Sequence, residues 1–443
     1  MASRAPNSPD SLVVSHDEHM HRAPGTRPSR FGLATMTALL IAGAGISVPS
    51  NAGAAPKEAQ TQGETRINSR IAQRLHNKAL GSDIAYVVMD AETQRIVSSR
   101  RADTPMLPAS NMKIVTAINA LSTMAPTQAF TTSVFSGAQP GHVILQGGGD
   151  PLLTSRNLRT LADQTAALAD HAQAVIVDTD VNLLPNATNA PGWTNGYVPA
   201  VVTPVSALAK LGDYSRTPVL HARDSFIHEL RAQGLTVTTG SEVDVPVGAI
   251  PITAISPHTL ADAVHLMLLD SENNIAELLY RHVALATGHA GTWQGGEQAA
   301  LANLDALGVD RRALSLADGS GVSRKDRLTA LTLASLLRLA KTTDPARFAV
   351  MFDPGSLPTS GLDGTLNDRY QRYSTKPSAC ARGAIRAKTG TLFDTIALSG
   401  VTNDVEGRAK IFSFLVNDRP QRFTPVKTRQ AVDGLAATIT GCW

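Results

Sequence analysis

The chain has 443 residues, of which 43% are hydrophobic and 17% charged, and a formal net charge of +3. That composition belongs to a globular protein with length for two or three domains, and so small a positive excess gives no footing for nucleic acid. No Cys/His cluster has metal-ligand spacing and there is no His-Glu-x-x-His helix, so neither a metal nor a cofactor is expected.

The first thirty residues are polar and end in Arg27-Pro28-Ser29-Arg30, after which Phe31 to Val48 is apolar and rich in small residues. This is the pattern of a signal or membrane-anchor leader over residues 1–55. Ala52-Gly53-Ala54-Ala55 offers a signal-peptidase site, a retained single-span anchor is the alternative, and a start at Met20 would shorten the polar stretch. Either way the rest of the chain is expected to be exported to the cell envelope. In that oxidising setting the two cysteines, Cys380 and Cys442, are expected to pair, with two buried thiols as the alternative.

From about Thr65 the pattern becomes that of a folded domain. Ile67, Ile71 and Leu75 recur at helical spacing, and Ile84 to Met89 and Ile96-Val97 read as strands joined by the polar turn Asp90 to Thr93. Next, Ile114, Val115, Ile118 and Leu121 put apolar residues on more than one side of a helix, which predicts burial, and Pro126 closes it. Residues 137–255 read as an inserted accessory domain. They hold short strands at Val143 to Leu145 and Val175 to Val177, helices around Leu158 to Leu168 and Asp224 to Gln233, and a loop-rich section from Asn186 to Pro199. Its scattered histidines, His142, His171, His221 and His228, read as surface or satisfied residues.

Helices return at Leu260 to Leu268 and Ile275 to Val283, then at Leu328 to Leu339. Strands follow at Ala384 to Leu392, Ile396 to Val401 and Ile411 to Val416, and a helix near Ala431 to Ile439 ends the chain. Segments 65–136 and 256–443 are thus expected to form one α/β domain, split in sequence by the insertion.

Three short stretches carry chemistry. Ser110 and Lys113 stand three residues apart at the head of the buried helix, on one face, where the amine reaches the hydroxyl. A serine nucleophile with a lysine base needs that geometry, although the same pair taken alone describes any solvated helix face. Ser271-Glu272-Asn273 breaks two helices; Ser271 there reads as an N-cap or as part of a cleft, and the readings are compatible. Lys388-Thr389-Gly390-Thr391 lies on a strand, where glycine marks the close approach of another backbone, here a peptide substrate, and the alternative is a bulge with an exposed lysine. Their order along the chain is that of the penicilloyl-serine enzymes.

With the stretches Gly147 to Pro151, Asp318-Gly319-Ser320-Gly321-Val322-Ser323-Arg324 and Asp363-Gly364-Thr365-Leu366, these motifs make the chain resemble the class C low-molecular-mass penicillin-binding proteins, D-alanyl-D-alanine carboxypeptidases and endopeptidases of the cell wall. The resemblance covers residues from about 65 to the end and implies a transpeptidase-like, β-lactamase-like α/β domain, a sheet covered by helices. It implies peptidoglycan stem peptides as substrates and β-lactams as acylating inhibitors. By the same resemblance Ser110 is the nucleophile, Lys113 its base, with its pKa lowered by burial and by Lys388, and Ser271 a relay to the leaving amine. Asn273 is a partner for the peptide amide, and Lys388, Thr389, Gly390 and Thr391 form the carboxylate-binding strand. It also brings the terminal helix onto the sheet, which favours contact between Cys380 and Cys442. A β-lactamase shares the motifs, but no deacylating base is identified here. An esterase or a non-catalytic binding module is also open, and the latter would lack a motif residue where none is missing.

Overall fold

The computed structural model describes residues 60–185 and 189–443; the leader expected over 1–55, with Phe31 to Val48 and Ala52 to Ala55, lies outside them. Among the described residues no helix is long and apolar enough to cross a membrane.

Two five-stranded sheets organise the described residues. The first takes β1 (Ile84–Asp90) and β2 (Ile96–Arg100) from the early segment and β8 (Ile385–Thr391), β9 (Ile396–Asn403) and β10 (Ala409–Val416) from the end, in the antiparallel order β2-β1-β10-β9-β8. Every residue of β1 is buried because both faces of this sheet are covered, so the strand reads as a continuous apolar run rather than an alternation. Alternate residues still part company. Ala85, Val87 and Met89 join a core with α2 (Met112–Thr123) and α8 (Ala330–Arg338). Ile84, Tyr86 and Val88 join a second core with α1 (Gln62–Arg74) and α9 (Pro425–Ile439).

The second sheet is mixed, in the order β6-β5-β4-β3-β7, from β3 (Thr132–Ser136), β4 (His142–Gln146), β5 (Val175–Asp180), β6 (Val237–Glu242) and β7 (Pro251–Ile255). The pair β4-β5 and the pair β5-β6 are parallel, crossed by α3 (Ser155–Ala166) and α4 (Pro218–Ala232). This sheet opens at Thr132, five residues before the boundary read from sequence at 137, because β3 pairs with β4 and β7 and with no strand of the first sheet. Helices α5 (Leu260–Leu269), α6 (Asn273–Ala286) and α7 (Trp293–Ala306) complete the helical layer beside α2.

Cys380 and Cys442 are disulfide-bonded, with Cα atoms 6.0 Å apart and a sequence separation of 62. The bridge ties the turn before β8 to the end of α9. The fully buried Arg372–Asp433 pair, at 2.6 Å, makes a second tie between the same two regions. Closing a loop of that length removes about 4 kcal/mol of denatured-state entropy. Reduction of the native protein is therefore expected to lower Tm by several degrees in differential scanning calorimetry; an unchanged Tm would remove the bridge as a stabilising element.

Candidate active site

Ser110 does not lie in the regular helix. It sits in a single 3-10 turn, Ala109–Asn111, immediately before α2. The turn is set by Ala109, a non-glycine residue in the left-handed region at φ 46°, which costs roughly 1 kcal/mol or more and persists only where neighbours hold it. Two neighbours do. A Cβ on Gly321, itself at φ +84°, would fall 1.9 Å from the Ala109 carbonyl oxygen, so only glycine lets that loop close over the turn. On the other side, a Cβ on Gly390 would lie 2.9 Å from Pro108 O and 3.1 Å from Ala109 Cβ. A backbone of the protein's own, at Pro108 and Ala109, thus comes close to Gly390. Asn111 completes the seating, its Nδ2 donating to Ser399 Oγ of β9 at 2.6 Å.

Lys113 is fully buried in the first turn of α2. Its Nζ lies 3.2 Å from Ser110 Oγ, 2.7 Å from Asn273 Oδ1 and 2.9 Å from the carbonyl oxygen of Ser320. Burial lowers its pKa to about 8, against the opposing pull of four carboxylates, Glu277 first and then Asp318, Glu272 and Asp326. The expected contribution of Lys388 is not among these leading influences. Lys388, also fully buried, is held well below the ordinary lysine value by burial and next by the charge of Lys113, and repulsion between two ammonium groups is mutual.

Asn273 opens α6, and its amide is used at both ends, with Oδ1 accepting from Lys113 and Nδ2 donating to the Val201 carbonyl at 2.8 Å. The N-cap of α6 is Glu272, whose Oε2 accepts from Ile275 N at 3.0 Å, so the N-cap reading of Ser271 does not hold. Ser271 stands one residue earlier in the left-handed region at φ 62°, and among the described residues its side chain has no hydrogen-bond partner. The structure therefore joins Ser110, Lys113 and Asn273 directly, with Ser271 two residues before Asn273 in the chain.

On β8, Lys388 Nζ donates to Thr389 O at 3.1 Å, and Thr389 Oγ1 donates to Thr365 Oγ1 at 2.7 Å, drawing in the Asp363-Gly364-Thr365-Leu366 stretch. Thr391 is half-buried at the end of the strand.

Glu277 was not singled out from the sequence. It is fully buried one turn after Asn273, and its carboxylate accepts from Gly319 N at 2.9 Å and Ser320 N at 3.0 Å, which aims the Ser320 carbonyl at Lys113. Burial, then Asp318, raises its pKa to about 8. A lone acid inside the apolar run Ile275 to Leu279 was the available signal. Asp318 in turn accepts from Gly321 N and Ser323 N, both at 2.7 Å, and from Trp193 Nε1 at 2.8 Å.

The arrangement dictates a proton path. A charged Lys113 donates to all three neighbours, but a neutral amine has two N–H bonds and one lone pair. The Ser320 carbonyl can only accept, and Asn273 also presents its acceptor because its NH₂ is taken by Val201. The lone pair is left facing Ser110 Oγ.

Comparison with known proteins shows the family and the fold. The model of the family described as "D-Ala-D-Ala carboxypeptidase 3 (S13) family" matches residues 67–210 and 195–439. "Carboxypeptidase DacB" of Mycolicibacterium smegmatis is 31% identical over 88% of this chain and 87% of its own length. "D-alanyl-D-alanine carboxypeptidase" of an Actinomadura species is 28% identical over 88% of each chain. Among solved structures, penicillin binding protein 4 (dacB) from Haemophilus influenzae superposes with a TM-score of 0.70 at 18% identity, over 82% of this chain and 98% of that one, which shows the shared fold. The chain belongs to the S13 family of D-Ala-D-Ala carboxypeptidases, the class C low-molecular-mass penicillin-binding proteins, and is a serine-type hydrolase.

Proposed function

We propose that Ser110 Oγ attacks the carbonyl carbon of the penultimate D-alanine of a peptidoglycan stem peptide, with Lys113 as the base. The observation that carries this reading is the buried Lys113 amine, 3.2 Å from Ser110 Oγ with its other two directions occupied by acceptors. As the Oγ–C bond forms, the Ser110 proton passes to the Lys113 lone pair and the C=O electrons move onto oxygen. Backbone N–H groups of Ser110 and Thr391 stabilise that oxyanion, roughly 3 kcal/mol per donor in serine enzymes. Collapse expels the terminal D-alanine, its amine taking a proton relayed through Ser271 from Lys113, and leaves an acyl ester on Ser110. Water then adds to the ester, returning the hydroxyl to Ser110 and releasing the shortened peptide.

The terminal carboxylate is held by Lys388, Thr389 and Thr391. Lys388 is poised for an anion because burial and Lys113 both disfavour its charge, and a carboxylate supplies the partner that restores it. The second hydrogen of Asn273 Nδ2 remains for the peptide carbonyl. A β-lactam enters by the same first step, its strained amide acylating Ser110. Substrate and chemistry place the protein outside the cytoplasm, exported by its leader and either secreted or anchored by it.

The test pairs D-alanine release from a stem pentapeptide with mass mapping of a penicillin adduct. One D-alanine freed per peptide and an adduct on Ser110 are expected. Release of D-alanine with the adduct on another residue would overturn the assignment.

A further inference from the structure

The three residues after Ser271 are each bound by the segment that connects β5 to α4. Tyr214 Oη donates to Glu272 Oε1. The Val201 carbonyl accepts from Asn273 Nδ2 at 2.8 Å. Thr203 donates to Asn274 Oδ1 twice, from its backbone N at 2.9 Å and from Oγ1 at 3.1 Å. The same segment also grips the loop that faces Lys113 from the other side. Ser323 Oγ donates to Pro191 O at 2.6 Å, Trp193 Nε1 donates to Asp318, and Val198 and Val202 pack on Val322.

Such a concentration is more than packing requires. Ser271 is in a left-handed conformation and among the described residues its side chain makes no hydrogen bond, so its position depends on the residues next to it in the chain. Asn273 is an amide whose two ends are nearly isosteric, so something must decide which end meets Lys113. The Val201 carbonyl decides it, because only the NH₂ end can face an acceptor. An inverted amide would turn its NH₂ to Lys113 and compete for the lone pair that Ser110 needs.

We propose that the inserted region serves the reaction as a clamp: residues 191–214 hold the Ser271–Asn274 junction, with Thr203 and Tyr214 as positioning residues. They hold the residues on either side of Asn273, so that the Val201 carbonyl meets its Nδ2 and the neutral Lys113 lone pair points at Ser110. The inference rests on the function proposed above, but the clamp itself is read independently of chemistry.

The experiment uses the full-length protein and three variants, Thr203→Val/Tyr214→Phe, Thr203→Ser/Tyr214→Phe and the control Arg159→Ala. Arg159 pairs with Glu229 on the surface of the inserted region, far in function from the junction. Stopped-flow with a fluorescent penicillin separates the saturating acylation rate from the half-saturating concentration, and hydrogen exchange reads the amides of residues 273–277. For Thr203→Val/Tyr214→Phe the acylation rate is expected to fall about tenfold, as the loss of two hydrogen bonds allows. Half-saturation should stay within about twofold, and exchange at residues 273–277 should quicken. Thr203→Ser/Tyr214→Phe keeps the Oγ donor and should recover part of both, and Arg159→Ala should match the parent. Unchanged exchange at residues 273–277 would overturn the clamp whatever the chemistry. So would an unchanged acylation rate, or a loss that the serine variant does not relieve. A parent adduct mapped away from Ser110 would instead strike the functional reading, while the exchange arm would still decide the clamp.

Discussion

Ser110→Ala folds as the parent does and takes up no fluorescent penicillin. The hydroxyl is the only atom lost, and the one bond it makes to Lys113 is worth about 1 kcal/mol, so Tm is expected to move by no more than a few degrees. Lys113 keeps two acceptors, Asn273 Oδ1 and Ser320 O, and Ala109 is still held by the packing of Gly321 and Gly390. The site therefore survives without the Ser110 hydroxyl. No ester can form on a methyl group, so D-alanine release is expected to fall by at least about 1,000-fold, the scale on which serine hydrolases lose activity with the nucleophile. Intact-mass measurement after exposure to penicillin, beside a circular-dichroism melt, checks both halves. An adduct of full mass on the variant would mean that another residue carries the acyl group.

How much was legible in the sequence depends on how local each signal is. Ser110 and Lys113 meet within one turn, so their spacing already held the contact, and the all-round apolar character of α2 correctly put that contact indoors. β1 was legible for a similar reason: burial on both faces leaves an unbroken apolar run. The start of the second sheet at Thr132 was not legible because Thr132 to Ser136 is short and partly polar, and only pairing assigns it to that sheet. Helix α7 gave no signal, since Gly295 and Gly296 stand in its first turn and its apolar positions are mainly alanine. At Gly390 the sequence could say that a backbone comes close but not whose. The Val201 carbonyl is the limiting case, because every residue has a carbonyl and only the fold decides which one reaches Asn273. The disulfide needed only two cysteines and an inferred compartment, and the fold supplied the 6.0 Å Cα separation.

Lys113→Arg is expected to abolish acylation across the accessible pH range, whereas Lys388→Arg retains a measurable part of it. Arginine keeps the charge and can reach the same acceptors, but it cannot give up its proton, and base catalysis of this kind contributes about 100- to 10,000-fold. At Lys388 the required property is charge toward a carboxylate, which arginine preserves, although the buried site fits it less well. The parent should show the signature of the base in its pH profile. Burial disfavours the ammonium and lowers the Lys113 pKa to about 8, so below that pH Lys113 is charged and the lone pair is absent. The acylation rate should rise tenfold per pH unit below 8 and level off above it. Because Glu277, raised to about 8 by the same burial, faces Lys113 through Ser320, the two titrate together and the midpoint belongs to the pair. Glu277→Gln removes the largest charge favouring the ammonium, so the midpoint should move down; its NH₂ cannot accept one of the two backbone N–H groups that the carboxylate takes, so the plateau rate should fall. Pre-steady-state acylation between pH 5.5 and 9.5, on the order of the range over which a lysine shifted this far titrates, reads all four proteins. A flat profile in the parent, or equal losses in Lys113→Arg and Lys388→Arg, would deny Lys113 the role of base.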